Sequence, residues 1–226
     1  MSFLSFLANQ GSSRRRKSYV ASNATLTVAG DIAINADPTA VAATEAMIVL
    51  QNSASRTGTA NKNTIIVPRY IKLTCSVTAA SGTDFAMFFK KDIIERYASG
   101  GTELVGYGTY ADTSSSWTER DPLGECYFGD ITAKAESAAK VVGTSWIRTD
   151  TAGPLADDKY LIVFGEPDAA HVGTAATQSL VKDFVSPIYL GPGTSLVVHP
   201  LITAAASTAA EFYVEIGWDE LGHDRD

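Results

Sequence analysis

The feature that most restricts this chain is an alternation of apolar and polar residues with a period of two, which sets in at Thr25 and persists almost to the C-terminus. Its clearest stretch sets Ile71, Leu73, Cys75 and Val77 between Lys72, Thr74, Ser76 and Thr78. Successive side chains of a strand point to opposite faces, so such a segment buries one face and wets the other. Leu26 and Val28 alternate with Thr25 and Thr27, and Ile32 and Ile34 continue the pattern. Further apolar runs fall at 46–50, 64–67, 85–89, 104–110, 126–131 and 141–147.

The C-terminal third repeats the signal. Tyr160 to Phe164 is a β-branched and aromatic run between Asp157-Asp158 and Gly165-Glu166-Pro167. Val185 to Leu190 leads into Gly191-Pro192-Gly193-Thr194, where Pro and Gly suit a chain reversal, and Ser195 to His199 leaves it. Phe212, Val214, Ile216 and Trp218 share one face of the last run. Roughly nine to eleven strands at this spacing predict an all-β, antiparallel β-sandwich, with a jelly roll as the expected topology. Helical pattern is confined to Asp92–Ala98 (Ile93, Ile94, Tyr97) and Ala133–Ala139, each read as one or two turns between strands.

The predicted organisation is a flexible apolar and basic N-terminal arm over 1–20, a sandwich body over 21–220 and an acidic tail over 221–226. Phe3, Leu4, Phe6 and Leu7 give the arm an apolar start, Asn9 to Ser13 read as a spacer, and Arg14, Arg15, Arg16 and Lys17 follow. Seven residues cannot hold a helix in water by themselves, so the arm is expected to order only on a partner. A secretory leader has its basic residues before its apolar stretch; here the order is reversed and the stretch is short, so secretion by that route is not expected, and reduced Cys75 and Cys126 fit folding in a cytoplasm. No run of about 18 apolar residues is present to form a membrane-spanning helix.

Charge is divided as sharply as pattern. Residues 1–17 hold four bases and no acid (+4), which leaves 14 bases against 25 acids (−11) in residues 18–226. An acidic body repels nucleic acid, so any phosphate contact falls to the arm, whose four adjacent cations can follow a backbone without reading bases. An anionic lipid surface, reached with Phe3, Leu4, Phe6 and Leu7, and an acidic groove on a neighbouring subunit remain alternatives. Asp219, Glu220, Asp224 and Asp226 make the C-terminal end acidic; it is read as a solvated tail, with a counter-charge for a neighbour's arm as the alternative.

Motifs for catalysis are not evident. His171, His199 and His223 are the three histidines, and none stands at metal-ligand spacing from another His or Cys. Neither a Gly-x-Ser-x-Gly elbow nor a phosphate-binding glycine loop occurs. Asp130, Glu136, Asp157 and Asp158 are the carboxylates considered for glycoside chemistry, and Asp150, Asp157 and Asp158 for calcium; the preferred reading for all is solvated loops. No cofactor, metal or small-molecule substrate is expected. Cys75 and Cys126 lie in strand-like runs and are read as buried free thiols rather than a bridge. Tyr107, Tyr110 and Trp117, set among Gly, Thr, Ser and Asp, form the candidate glycan or interface loop.

An apolar-then-basic arm feeding a β body resembles the layout of single jelly-roll capsid proteins. Ser186-Pro-Ile-Tyr-Leu-Gly-Pro-Gly-Thr-Ser-Leu-Val-Val-His-Pro200 and Glu211-Phe-Tyr-Val-Glu-Ile-Gly-Trp218 are similar to the closing strands of phage virion proteins. The resemblance implies a non-enzymatic component of a virion, packed against copies of itself and other virion proteins, its arm touching a neighbour, a membrane or the genome. The short basic cluster departs from the long basic arms of many RNA-packaging capsids, which weighs against genome condensation as the main role. A receptor- or glycan-binding spike or tail module is the alternative.

Overall fold

The structure, a computed structural model, describes residues 16–23, 32–33, 44–53, 64–77, 85–108, 122–148, 156–165, 180–202 and 211–222. Thirteen strands account for most of them: β1 (Arg16–Ser22), β2 (Ile32–Ala33), β3 (Glu45–Asn52), β4 (Ile65–Val77), β5 (Phe85–Asp92), β6 (Tyr97–Leu104), β7 (Tyr107–Gly108), β8 (Gly124–Ala133), β9 (Lys140–Arg148), β10 (Lys159–Phe164), β11 (Leu180–Val185), β12 (Ser195–Ile202) and β13 (Glu211–Leu221). None of the described residues is helical. The chain is all-β, and two sheets packed face to face make it a sandwich. One sheet has the order β11-β10-β4-β13-β1-β7, with β2 also on β13; the other has the order β6-β8-β3-β12-β5-β9.

Four antiparallel pairs are nested in sequence. The outermost is β1 with β13, then β3 with β12, β4 with β10 and β5 with β9. Successive pairs alternate between the two sheets, and the β13–β4 and β12–β5 ladders stitch them together. The arrangement is that of one long hairpin rolled up on itself. Only β10 with β11, among the described pairs, is parallel.

Alternation along the strands builds the core between the sheets. Ile71, Leu73 and Cys75 of β4, Phe212, Val214, Ile216 and Trp218 of β13, and Tyr160, Ile162 and Phe164 of β10 face inward from one sheet. Ile48 and Leu50 of β3, Met87 and Phe89 of β5, Cys126 and Phe128 of β8, and Leu196 and Val198 of β12 meet them from the other. Cys75 and Cys126 are buried free thiols.

Two segments differ from the sequence expectation. The runs on either side of Pro68 form one strand, β4, because a bulge absorbs the proline: Trp218 faces Pro68 while Gly217 faces Tyr70. Proline lacks the N–H that a central strand would use, and a bulge is where a ladder tolerates that loss. Val185 to Leu190 is not a strand throughout; β11 ends at Val185, and only Leu190 rejoins a ladder, by a bridge to Ile66.

The expected helical turns are instead two non-helical straps, bent at residues 93–94 and 137–138. β5 and β6 lie far apart in their sheet, as do β8 and β9, so residues 93–96 and 134–139 must cross its outer face. Ile94 accepts a hydrogen bond from Ser195 Oγ at 2.7 Å on β12, and the Tyr97 N–H reaches Gln51 Oε1 at 3.3 Å on β3. Beneath the straps Ala46, Val49, Ile131, Ala133 and Val197 form a second apolar cluster. The helix signal fails because these backbone groups find partners across the sheet rather than one turn away.

Candidate functional site at the leader root and the strapped face

Phe3, Leu4, Phe6, Leu7, Arg14 and Arg15 lie outside the described residues. Arg16 and Lys17 open β1, where Arg16 pairs with Leu221 and Lys17 with Glu220. The sheet therefore begins at Arg16 rather than at 21, and two of the four cations stand on a strand rather than on a flexible arm. Leu221 likewise belongs to β13 rather than to a tail.

Asp219 and Glu220 are buried rather than solvated. Asp219 accepts from Ser18 Oγ at 2.6 Å and faces Arg69 Nε at 3.4 Å. Glu220 Oε1 accepts the N–H groups of Leu123 at 2.6 Å and Gly124 at 2.8 Å, tying the end of β13 to the start of β8. Two carboxylates read as part of a solvated tail, with a counter-charge for a neighbour's arm as the alternative, are thus engaged within the same chain. His223, Asp224 and Asp226 lie outside the described residues.

Of the aromatic loop, only Tyr107 is described, and only by its backbone, which pairs with Val20 through β7; Tyr110 and Trp117 fall outside. A different aromatic pair is assembled instead. Tyr97 and Tyr127 stack with ring centroids 3.5 Å apart and planes 5° from parallel, packed on the second apolar cluster. Glu103 stands opposite Tyr127 in the β6–β8 ladder, and Glu125 lies two residues before Tyr127 on the same face. Gln51 Nε2 donates to Glu125 Oε2 at 2.7 Å, and the Tyr127 hydroxyl points at the same oxygen at 3.4 Å. Burial first, then the Glu125 and Glu103 carboxylates and the Tyr97 hydroxyl, push the Tyr127 phenol up to about 12. Tyrosine and carboxylate groups are thereby gathered into one electronegative platform.

Sequence reading missed this platform because Tyr97 fell in an apparent helical turn and Glu103 and Glu125 were unremarkable strand carboxylates. The usable signal was the alternation of Glu125 and Tyr127. Gly100 and Gly101, with φ of 78° and 63°, permit the close approach of β6 to β8: a Cβ on Gly101 would lie 2.7 Å from the Ile131 side chain.

Beneath the straps lies an ionic node. Arg96 and Asp92 pair at 3.1 Å, and Lys90 reaches Glu136 at 2.6 Å. Burial alone would raise the Asp92 carboxyl, but the N–H groups of Ala138, Ser137 and Ile93, with Arg96, outweigh it and hold it below its ordinary value. His199 is buried, with Nδ1 against the Glu45 carbonyl and Nε2 without a partner among the described residues. Burial, reinforced by Lys90 and Arg96, lowers this imidazole to about 4. The node clamps both straps to the sheet: Asp92 accepts from the second strap, and Arg96 Nε donates to the Lys134 carbonyl at 2.7 Å.

The other carboxylates considered for chemistry are dispersed. Asp130 is exposed on β8, Asp157 turns with φ of 70°, and Asp158 accepts from the Tyr160 hydroxyl at 3.1 Å. Asp150 and His171 lie outside the described residues. Among the described residues no three His, Cys, Asp or Glu side chains are grouped so as to hold a metal ion. No family model, curated protein or solved structure matches the chain.

Proposed function

We propose that the chain is a non-enzymatic structural protein of a virus or phage particle, a capsid, decoration or vertex component that packs with copies of itself and other virion proteins. It folds in the host cytoplasm and resides in the virion. The observation that carries this reading is the placement of a basic leader on the outermost of the four nested strand pairs, β1 with β13. Nested pairs alternating between two sheets are what a jelly roll requires, and we take the topology to be one, decorated by β2, β6, β7, β8 and β11. Jelly rolls build capsid and lectin domains alike, so the fold alone does not choose between them.

The leader favours the particle. Phe3, Leu4, Phe6 and Leu7 followed by Arg14 and Arg15 precede a rigidly paired strand, while the remainder of the chain is acidic. A short cationic segment binds weakly once and strongly when repeated over many subunits, which is the economy of a shell.

Sedimentation velocity and negative-stain electron microscopy of the purified full chain test the reading. Closed oligomers are expected, and a chain without residues 1–15 should keep its β-sheet circular dichroism but lose the oligomers. A protein that stays monomeric at every concentration, and is absent by mass spectrometry from particles of the virus that encodes it, overturns the proposal.

A further inference from the structure

We infer that the two straps are a proton-operated latch over the second apolar cluster: a proton taken up at Nε2 of His199 makes residues 93–96 and 134–139 lift from the sheet more often, baring Ala46, Val49, Ile131, Ala133 and Val197 while the sandwich beneath stays closed. The device is independent of the assembly reading above. Three observations carry it.

The first is an imidazole with one empty nitrogen in a covered site. His199 stands on β12, 1% exposed, on the same face as Val197 of the second cluster. Its Nδ1 donates to the Glu45 carbonyl of β3, and among the described residues Nε2 has no partner. A proton added at Nε2 therefore finds no acceptor, and a buried charge without one is costly.

The second is what surrounds that nitrogen. Among the described residues Lys90 of β5 and Arg96 of the first strap oppose the added charge, and Glu136 of the second strap favours it. Arg96 engages Asp92, at the end of β5, at 3.1 Å; Glu136 meets Lys90 at 2.6 Å and Arg96 at 4.0 Å. Each carboxylate is already opposed by a cation, so burial and the two cations prevail and hold the imidazole at about 4. Lys90 and His199 belong to paired strands, whereas Arg96 belongs to a strap. Lifting the strap is how the repulsion is relieved.

The third is that the straps are the easiest part of this face to move. Ile93 is 49% exposed and residues 134–138 are all exposed, so the straps bury little apolar surface. Hydrogen bonds tie them down: Ser195 Oγ to the Ile94 carbonyl, the Tyr97 N–H to Gln51, and the Ser137 and Ala138 N–H groups to Asp92. By contrast, β12 is paired along both edges, with β3 and β5. Segments with few buried apolar contacts open at lower free energy than the whole domain. Opening admits water to Nε2, and the imidazole regains its ordinary value of 6.5. The lifted form then binds the proton more tightly than the closed one. Its population is constant above pH 6.5 and rises about tenfold per pH unit as the pH falls toward 4, about 300-fold in all.

Amide hydrogen exchange of the full chain, followed by nuclear magnetic resonance from about pH 7 to about pH 4.5, tests the latch. The N–H groups of Tyr97, Lys134, Ser137 and Ala138 should lose protection about tenfold per pH unit below 6.5, while the β4–β13 ladder stays better protected throughout. His199→Asn keeps a donor for Glu45 and should leave strap protection flat with pH. Should that variant fail to fold, Lys90→Met, which removes one opposing cation, should make the loss shallower. Ala133→Cys supplies a second readout, since it puts a thiol in the second cluster. Its labelling by a pyridyl disulfide, relative to the unfolded chain at the same pH, should rise in the same window while Cys75 and Cys126 stay protected. Strap protection that ignores pH in the wild type overturns the inference, as does an unchanged slope in the His199 or Lys90 variant. Straps and β4–β13 ladder opening together, with all three thiols labelled, also overturn it, because the acid response is then global unfolding.

Discussion

The Arg96 guanidinium meets the Asp92 carboxylate at 3.1 Å with neither side chain exposed to solvent, although both stand on the outward side of a sheet. Two crossing straps make that burial possible, and the pair in turn fixes both straps. Burying an ion pair gains little over an apolar pair of the same shape, but removing one partner strands a charge in a dry site. Arg96→Met should therefore lower stability by about 3–5 kcal/mol, read as a fall in the urea midpoint. Lys90→Met, which breaks the partly exposed link to Glu136, should lower it by less than about 1 kcal/mol. Equal losses in the two variants would show that the node is not the clamp.

His199 gives the protein an acid-sensitive window. A carbonyl oxygen can only accept, so Nδ1 donates its hydrogen to Glu45, and the bare nitrogen is Nε2. Adding a proton there places a cation in a buried site beside Lys90 and Arg96. The imidazole titrates at about 4 when folded and 6.5 when unfolded, so between those values the unfolded chain holds more protons. Stability should be at its full value above pH 6.5 and be lost as the pH falls toward 4, by about 3 kcal/mol in total. The hydrogen bond from Lys90 holds the Glu136 carboxyl low, and Asp92 is also held low; both act in the same direction at more acidic pH. His199→Asn retains a donor for Glu45 and should flatten the urea midpoint between pH 4 and 6.5. An unchanged slope in that variant would sink the assignment.

Trp218 is wedged between two glycines and stacks on Tyr19 with centroids 5.8 Å apart. A Cβ on Gly106 would come within 2.6 Å of the indole, and one on Gly124 within 2.7 Å. Gly124→Ala should cost about 1–3 kcal/mol by overpacking. Combining it with Trp218→Phe should cost less than the sum of the two single changes, since the smaller ring vacates the contested space. Strict additivity in urea unfolding would argue against the wedge.

Both cysteines face the core, and burial pushes the Cys126 thiol up, away from the reactive thiolate. Neither should react with a chromogenic disulfide reagent in the native protein. In urea both should react at the rate of global unfolding, so a fast phase under native conditions would contradict their placement.

The strands themselves were legible in the sequence wherever one face was wet and the other buried, as in the stretch from Ile71 to Val77. Pro68 concealed the continuity of β4, since a bulge is visible only in the partner strand. The straps were misread because Ile93, Ile94 and Tyr97 fall at helical spacing, while the Asp92 carboxylate that receives the second strap's N–H groups stands some 45 residues from it. The platform was hidden for a related reason. Glu103 and Tyr127 become neighbours only through the register of β6 on β8, and no short-range pattern reports a register. The basic cluster was plain from composition, but its division between leader and strand depended on where β1 finds β13.

The rolled-hairpin arrangement also orders the events of folding. β5 and β9 close a span from Phe85 to Arg148, whereas β1 and β13 close one from Arg16 to Leu221. Loop closure is costlier for the longer span by about 1 kcal/mol, and distant contacts form slowly unless nearer ones have shortened the path. Loop closure thus favours winding from the centre outward, with β1 expected to pair last. On that order Arg16 and Lys17 would be anchored only once the rest of the sandwich has closed, so the cationic end of the described chain would be the last part to become fixed.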